Sequence, residues 1–112
     1  MVEWVATMKD AANRLKGQAG EFARVLHDHL PELAERYGVK SLGLFGSYVR
    51  GEKTEGSDLD LLVEFAETPD LLEFVALGRD LSELLGVKVD LVMKRALKPR
   101  IGERILEEVV AV

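Results

Sequence analysis

The sequence has no cysteine, which rules out disulfide frameworks, thiol nucleophiles and cysteine-ligated zinc. Metal chemistry is left to oxygen ligands, which suit hard cations such as magnesium. The chain also lacks any apolar run near the ~18 residues that a bilayer crossing takes. Its first residues, Met1-Val2-Glu3-Trp4, form neither a basic nor an apolar leader. The expectation is therefore a cytoplasmic protein without membrane contact. Basic residues are outnumbered, 15 against 20 acidic, for a net charge of -5 and a pI near 5.1. That balance lacks the electrostatic footprint of a protein that grips long nucleic acid. A small nucleotide stays within reach, because a bound metal would neutralise its phosphates. No Pro- or Ser-rich linker and no charged low-complexity block divides the 112 residues, and the composition is 47% hydrophobic and 31% charged. Both features argue for one globular domain over 1–112.

Val5, Met8, Ala12 and Leu15 recur at helical spacing, so a short amphipathic helix is expected over 3–16, stopping near Gly17 and Gly20. Residues 1–20 then read as a helical extension. A second stripe, Phe22, Val25, Leu26, Leu30 and Leu33, predicts a helix over about 21–36, with Pro31 kinking it or opening a fresh turn and Gly38 capping it. Ser41 to Phe45 reads as a first strand, followed by a turn at Gly46-Ser47 and a short helical turn over 47–51. In Asp58 to Phe65 the period of two sends Leu59, Leu61, Val63 and Phe65 to one face and Asp58 and Asp60 to the other. Leu71, Leu72, Val75, Leu84 and Leu85 mark a helix over about 70–85 that ends at Gly86. A third strand, 87–92, carries Asp90 on its polar face. Pro99 opens a last helix over about 99–109, with Ile101, Ile105, Leu106 and Val109 at helical intervals. The order is α-α-β-β-α-β-α. The helical crossover lets the second and third strands run parallel, while the short link lets the first run antiparallel to the second. The fold class is α/β (α+β): a small mixed sheet with helices on its apolar face and the aspartates on the opposite one.

The chemistry lies in one spacing, G-S-x10-D-x-D, from Gly46-Ser47 to Asp58 and Asp60, with Asp90 on a further strand. Glycine lets backbone approach a ligand, and the amides that follow Gly46, with the Ser47 hydroxyl, can bind phosphate oxygens. Carboxylates at i and i+2 of a strand project side by side and can hold two divalent ions about 3.5–4 Å apart. Asp90 adds a third carboxylate, and magnesium would relieve the repulsion among the three. Asp58-x-Asp60 alone would more often be a wet strand face. Arg50 and Lys53 are in reach of a triphosphate, although exposed basic side chains are more often simply solvated. His27 and His29, two apart, lie on different faces of a helix and read as structural. Glu64 shares the aspartate face but lies too far along to join them. Lys94, Arg95, Lys98, Arg100 and Arg104 form a basic run that reads as a solvated helix start, with contact to a partner or phosphate as the alternative. Trp4 is a packing residue or an interface anchor.

These residues resemble the nucleotidyltransferases of the DNA polymerase β superfamily, specifically their minimal (MNT) branch. The likeness runs from about Tyr37 to Val110 through Leu44-Phe45-Gly46-Ser47-Tyr48-Val49-Arg50-Gly51-Glu52, Ser57-Asp58-Leu59-Asp60-Leu61-Leu62-Val63 and Val89-Asp90-Leu91-Val92. Val49 departs from the alanine frequent at that position. The resemblance implies a polymerase β-like fold and transfer of a nucleoside monophosphate, AMP from ATP being the family's commonest choice, to an acceptor hydroxyl. It implies that Asp58 and Asp60 ligate two magnesium ions, and that Asp90 ligates the one on the attacking side and helps deprotonate the acceptor. Gly46 and Ser47 would hold the β and γ phosphates, with Arg50 as a further nucleotide contact. It also implies a partner, a helical HEPN ribonuclease toxin, with this chain as its antitoxin, acting either by adenylylating the toxin or, as a catalytically silent alternative, by binding it. Transferases of small molecules such as aminoglycosides carry an additional acceptor-binding region, and the length argues against that reading. The amphipathic 3–16 segment is compatible with docking on such a partner or on a second copy of the chain.

Overall fold

The computed structural model describes residue 15 and residues 17–112; Trp4 and, apart from Leu15, the helix expected over 3–16 lie outside them. The described chain forms α1 (Gly17–Tyr37), β1 (Val39–Phe45), α2 (Ser47–Arg50), β2 (Leu59–Phe65), α3 (Leu71–Leu85), β3 (Val89–Met93), a 3-10 turn (Lys94–Ala96), α4 (Pro99–Glu108) and β4 (Val110–Ala111). The four strands make one sheet in the order β3-β2-β1-β4. β1 is antiparallel to β2 and to β4, and β2 is parallel to β3. The mixed sheet is as expected from the connection lengths.

The elements follow from their sequences. Gly17 opens α1 and Gly20 lies inside it, so this helix begins four residues before the expected 21. Pro31 sits within α1 without dividing it. Gly38 N–H closes the helix end on Ala34 O at 2.9 Å. β1 begins two residues earlier than Ser41, with a register irregularity between Val39 and Ser41 that accommodates Lys40. α3 starts with a full capping box: Asp70 accepts from Glu73 N at 2.8 Å, and the Glu73 carboxylate accepts from Asp70 N at 3.1 Å. Such caps contribute about 1 kcal/mol. Gly86, at φ 72°, ends α3 in the left-handed conformation that glycine adopts without steric cost.

One face of the sheet is the core. Leu42 and Leu44 of β1, Leu59, Leu61 and Val63 of β2, and Val110 of β4 pack against Phe22, Ala23 and Leu26 of α1 and Leu77 and Leu81 of α3. The alternation read from β2 gives the core face, and Leu62 on the other face is buried as well. Phe65 joins the core face from the rim, where its ring stands edge-on to Phe74 at 6.3 Å between centroids. Leu71, Leu72 and Val75, which marked α3 in the sequence, are exposed, while Leu77 and Leu81 carry the helix's contact with the core.

Two features depart from the expected plan. β4 was not anticipated; it adds the strand that flanks β1, with Val110 opposite Leu44 and Ala111 opposite Gly43. The face opposite the core is also not left open. α4 borders it, walling a cleft with Phe45, Gly46 and Asp60, and Val109 stands 2.5 Å from where a Cβ on Gly43 would be. α4 buries only Gly102, and Ile101 and Leu106 stay exposed.

Candidate active site

The parallel register places Asp60 beside Asp90. Residues opposite one another in a parallel pair point to the same face, so the two carboxylates come together on the side away from the core. Asp58 stands one residue ahead of β2 and is half-buried, Asp60 is half-buried, and Asp90 is exposed. The crowding falls on Asp60. Its carboxyl is pushed from 3.8 up to about 6 by partial burial first, then by the Asp90 charge and a hydrogen bond with Asp90, then by the Asp58 charge, with Arg50 opposing.

β1 delivers Gly46 to the same place, because Phe45 pairs with Asp60 across the antiparallel ladder. Gly46 has φ 83° and ψ -156°, in the left-handed half of the map that favours glycine. Its carbonyl accepts from Val49 N and Arg50 N, both at 3.1 Å, which closes the four-residue turn of α2 with Ser47 at its first position. Tyr48 anchors that turn to α1, its ring 5.8 Å from that of Phe22.

The sequence reading missed Glu108, the last residue of α4. Its carboxylate accepts from Gly46 N at 2.6 Å and from Arg50 Nη1 at 2.7 Å. Arg50 also donates to Glu52 at 2.9 Å. Burial would raise the Glu108 carboxyl, but the bonds from Arg50 and Gly46 outweigh it and hold it below the usual range. The same pairing, Glu108 first and Glu52 second, raises the Arg50 guanidinium. A signal for Glu108 was present in the sequence. Glu107 and Glu108 occupy the last turn of a helix, where negative charge opposes the macrodipole and calls for another partner.

The remaining candidates fall outside this cluster. Lys53 donates to Gln18 at 3.0 Å and lies 5.3 Å from the Tyr48 ring centroid. Glu64 accepts from Ser41 at 3.2 Å and pairs with Lys40 and Lys94. His29 Nδ1–H donates to Val25 O at 2.8 Å, a helix-internal bond. From the basic run, Arg95 donates to Thr68, while Arg104 lines the cleft. That cleft, about 500 Å³, is bounded by Phe45, Gly46, Arg50, Asp60, Arg104 and Glu108 among others.

Among the described residues no group of three or more His, Asp or Glu side chains stands ready-made as a metal cage. The donor set nonetheless fits a hard divalent cation. Asp60 and Asp90 meet, Asp58 acts on Asp60 through its charge, and their mutual repulsion is of the kind that such a cation relieves.

A mixed sheet that presents adjacent carboxylates on neighbouring parallel strands, beside a strand–Gly-Ser–turn, is the architecture of a nucleotidyltransferase. Comparison with known proteins agrees. Residues 26–112 match the nucleotidyltransferase domain model. The protein adenylyltransferase MntA of Thermococcus cleftensis is 53% identical over 92 residues, covering 82% of this chain and 93% of that one. A solved structure assigned as a minimal nucleotidyltransferase is 42% identical with a TM-score of 0.69, covering 82% of this chain and 94% of that chain. A crystal structure of a toxin–antitoxin with AMP-PNP is 27% identical with a TM-score of 0.60, covering 79% of this chain and 66% of that chain. The chain belongs to the nucleotidyltransferase domain family, in its minimal, MNT branch. Among the described residues no helix is long and apolar enough to cross a membrane.

Proposed function

We propose that this protein transfers AMP from ATP to a hydroxyl of a protein acceptor, a HEPN ribonuclease toxin, and serves as its antitoxin. The observation that carries the reading is the in-register meeting of Asp60 and Asp90 beside Gly46. Its adenylyltransferase relative and the toxin–antitoxin neighbour with AMP-PNP support the choice of nucleotide and partner.

In this reading Asp58, Asp60 and Asp90 hold two magnesium ions, and Gly46, Ser47 and Arg50 hold the outer phosphates. Bound magnesium would neutralise the triphosphate and make the acceptor hydroxyl more acidic. The acceptor oxygen bonds to the α-phosphorus as the bond to the bridging oxygen of the β-phosphate breaks. Pyrophosphate leaves, and the hydroxyl proton passes to Asp90 and on to solvent. Asp90 suits that role because it is the exposed member of the set, open to an acceptor arriving from outside.

Intact-mass spectrometry of the toxin after co-expression tests this. The expected result is a toxin carrying whole AMP units with the unaltered chain, and an unmodified, active toxin with Asp60→Ala. An unmodified toxin that is still fully inhibited by the Asp60→Ala protein would sink the enzymatic reading and leave an antitoxin that works by binding.

A further inference from the structure

Glu108 presents two carboxylate oxygens to two donors, Oε2 to Gly46 N at 2.6 Å and Oε1 to Arg50 Nη1 at 2.7 Å. A backbone amide and a guanidinium bridged by one anion through two oxygens is how a phosphate group is held. The same amide and the same guanidinium are the nucleotide contacts of the reading above, on which this inference rests. The one hydrogen of Gly46 N cannot serve a carboxylate and a phosphate together, and two anions side by side on it would repel. We propose that Glu108 is an internal occupant of the phosphate cradle, which holds Gly46 and Arg50 in the nucleotide-free protein and has to leave when a triphosphate enters.

The construction of α4 fits a removable occupant. The helix buries only Gly102, while Ile101 is 59% exposed and Leu106 48% exposed. Its backbone is pinned just beyond Glu108 by Val110, which lies in the core and pairs with β1, so release takes a rotation of the Glu108 side chain alone. Glu108 also sits where the helix dipole disfavours an anion, so the two bonds to the cradle are what keep it there. Arg104, four residues earlier on α4, lines the same cleft and offers the released carboxylate an i,i+4 partner outside the cradle. Arg50 retains Glu52 as its second partner, so its orientation survives the exchange. Nucleotide affinity is then reduced by the fraction of molecules in which Glu108 fills the site.

Calorimetry with Mg-ATP on the whole chain tests the proposal, with Glu107→Gln as control. Glu107 borders the same cleft from the adjacent position and makes neither bond to the cradle. Glu108→Gln should bind Mg-ATP about tenfold more tightly than the unaltered protein, and Glu107→Gln should change affinity far less. Equal gains in both variants would reduce the effect to general charge removal and overturn the proposal. Affinity unchanged or weakened by Glu108→Gln would overturn it too, and would make Glu108 a fixed brace of the loop. If no form binds Mg-ATP, the nucleotide site itself is refuted and the occupant with it; binding by the unaltered chain without a gain in Glu108→Gln refutes the occupant alone. A second readout needs no substitution: the carbon-13 resonance of the Glu108 carboxyl in the unaltered protein should move as Mg-ATP saturates it. A resonance that stays put at saturation would mean that Glu108 never leaves.

Discussion

Gly46 and Asp60 pack so closely that no side chain fits between them: a Cβ at position 46 would overlap Asp60 Oδ2 and stand 3.0 Å from its Cγ. The glycine of the phosphate turn and the carboxylate of the metal site are therefore one steric unit, joined across the β1–β2 ladder.

Gly46→Ala should consequently damage both at once. Alanine is strained at φ 83° and would force Asp60 away from Asp90. The expected outcome is a loss of about 1–3 kcal/mol in stability together with at least a tenfold loss of Mg-ATP affinity, read by urea unfolding and calorimetry. Unchanged affinity would mean that Asp60 is not a nucleotide-site ligand.

Binding and chemistry should separate between the two strands. Asp58→Ala/Asp60→Ala is expected to abolish the rise in melting temperature that Mg-ATP gives the unaltered protein. Asp90→Asn, on the exposed edge of the site, should keep most of the affinity while slowing transfer by about 10²–10⁴-fold in single turnover. Undiminished transfer by Asp90→Asn would make that residue a surface acid of β3.

The raised Asp60 carboxyl gives a pH dependence with a definite sign. Its folded value, about 6, exceeds the ordinary 3.8, so between those values the folded protein binds more protons than the unfolded chain. The contribution of Asp60 to stability is complete below about pH 4 and is lost as the pH rises through 6. In metal-free buffer at pH 7.5, Asp60→Asn should thus be more stable than the unaltered protein, by roughly 1 kcal/mol after allowance for solvent screening. The gap should close as the pH approaches 4, and magnesium should stabilise only the unaltered protein. Urea titrations at several pH values would show this; a gap that widened toward acid would reverse the assignment.

What could be read from the sequence was what repeats. The alternation through Leu59, Leu61 and Val63 located β2, its core face and the direction of Asp60, because a strand buried on one face writes its burial at period two. The connection lengths gave the antiparallel and parallel pairings, and hence the meeting of Asp60 with Asp90. β4 could not be read this way, since two residues, Val110 and Ala111, carry no period and pair only because α4 returns the chain to β1. The exposure of Leu71, Leu72, Ile101 and Leu106 escaped for the related reason that spacing marks an apolar stripe without saying whether the sheet extends beneath it. Glu108 was illegible by motif, since its partners, Gly46 and Arg50, lie 62 and 58 residues away.

Among the described residues the order β3-β2-β1-β4 leaves β3 at one edge of the sheet, bonded on one side to β2. Edge strands open by local fraying at far less than the free energy of global unfolding. Asp60, on the interior strand, stays with the core through such an event, whereas Asp90 departs with its strand. Completeness of the carboxylate set therefore depends on five residues, Val89–Met93, staying paired, and amide exchange along them is its readout.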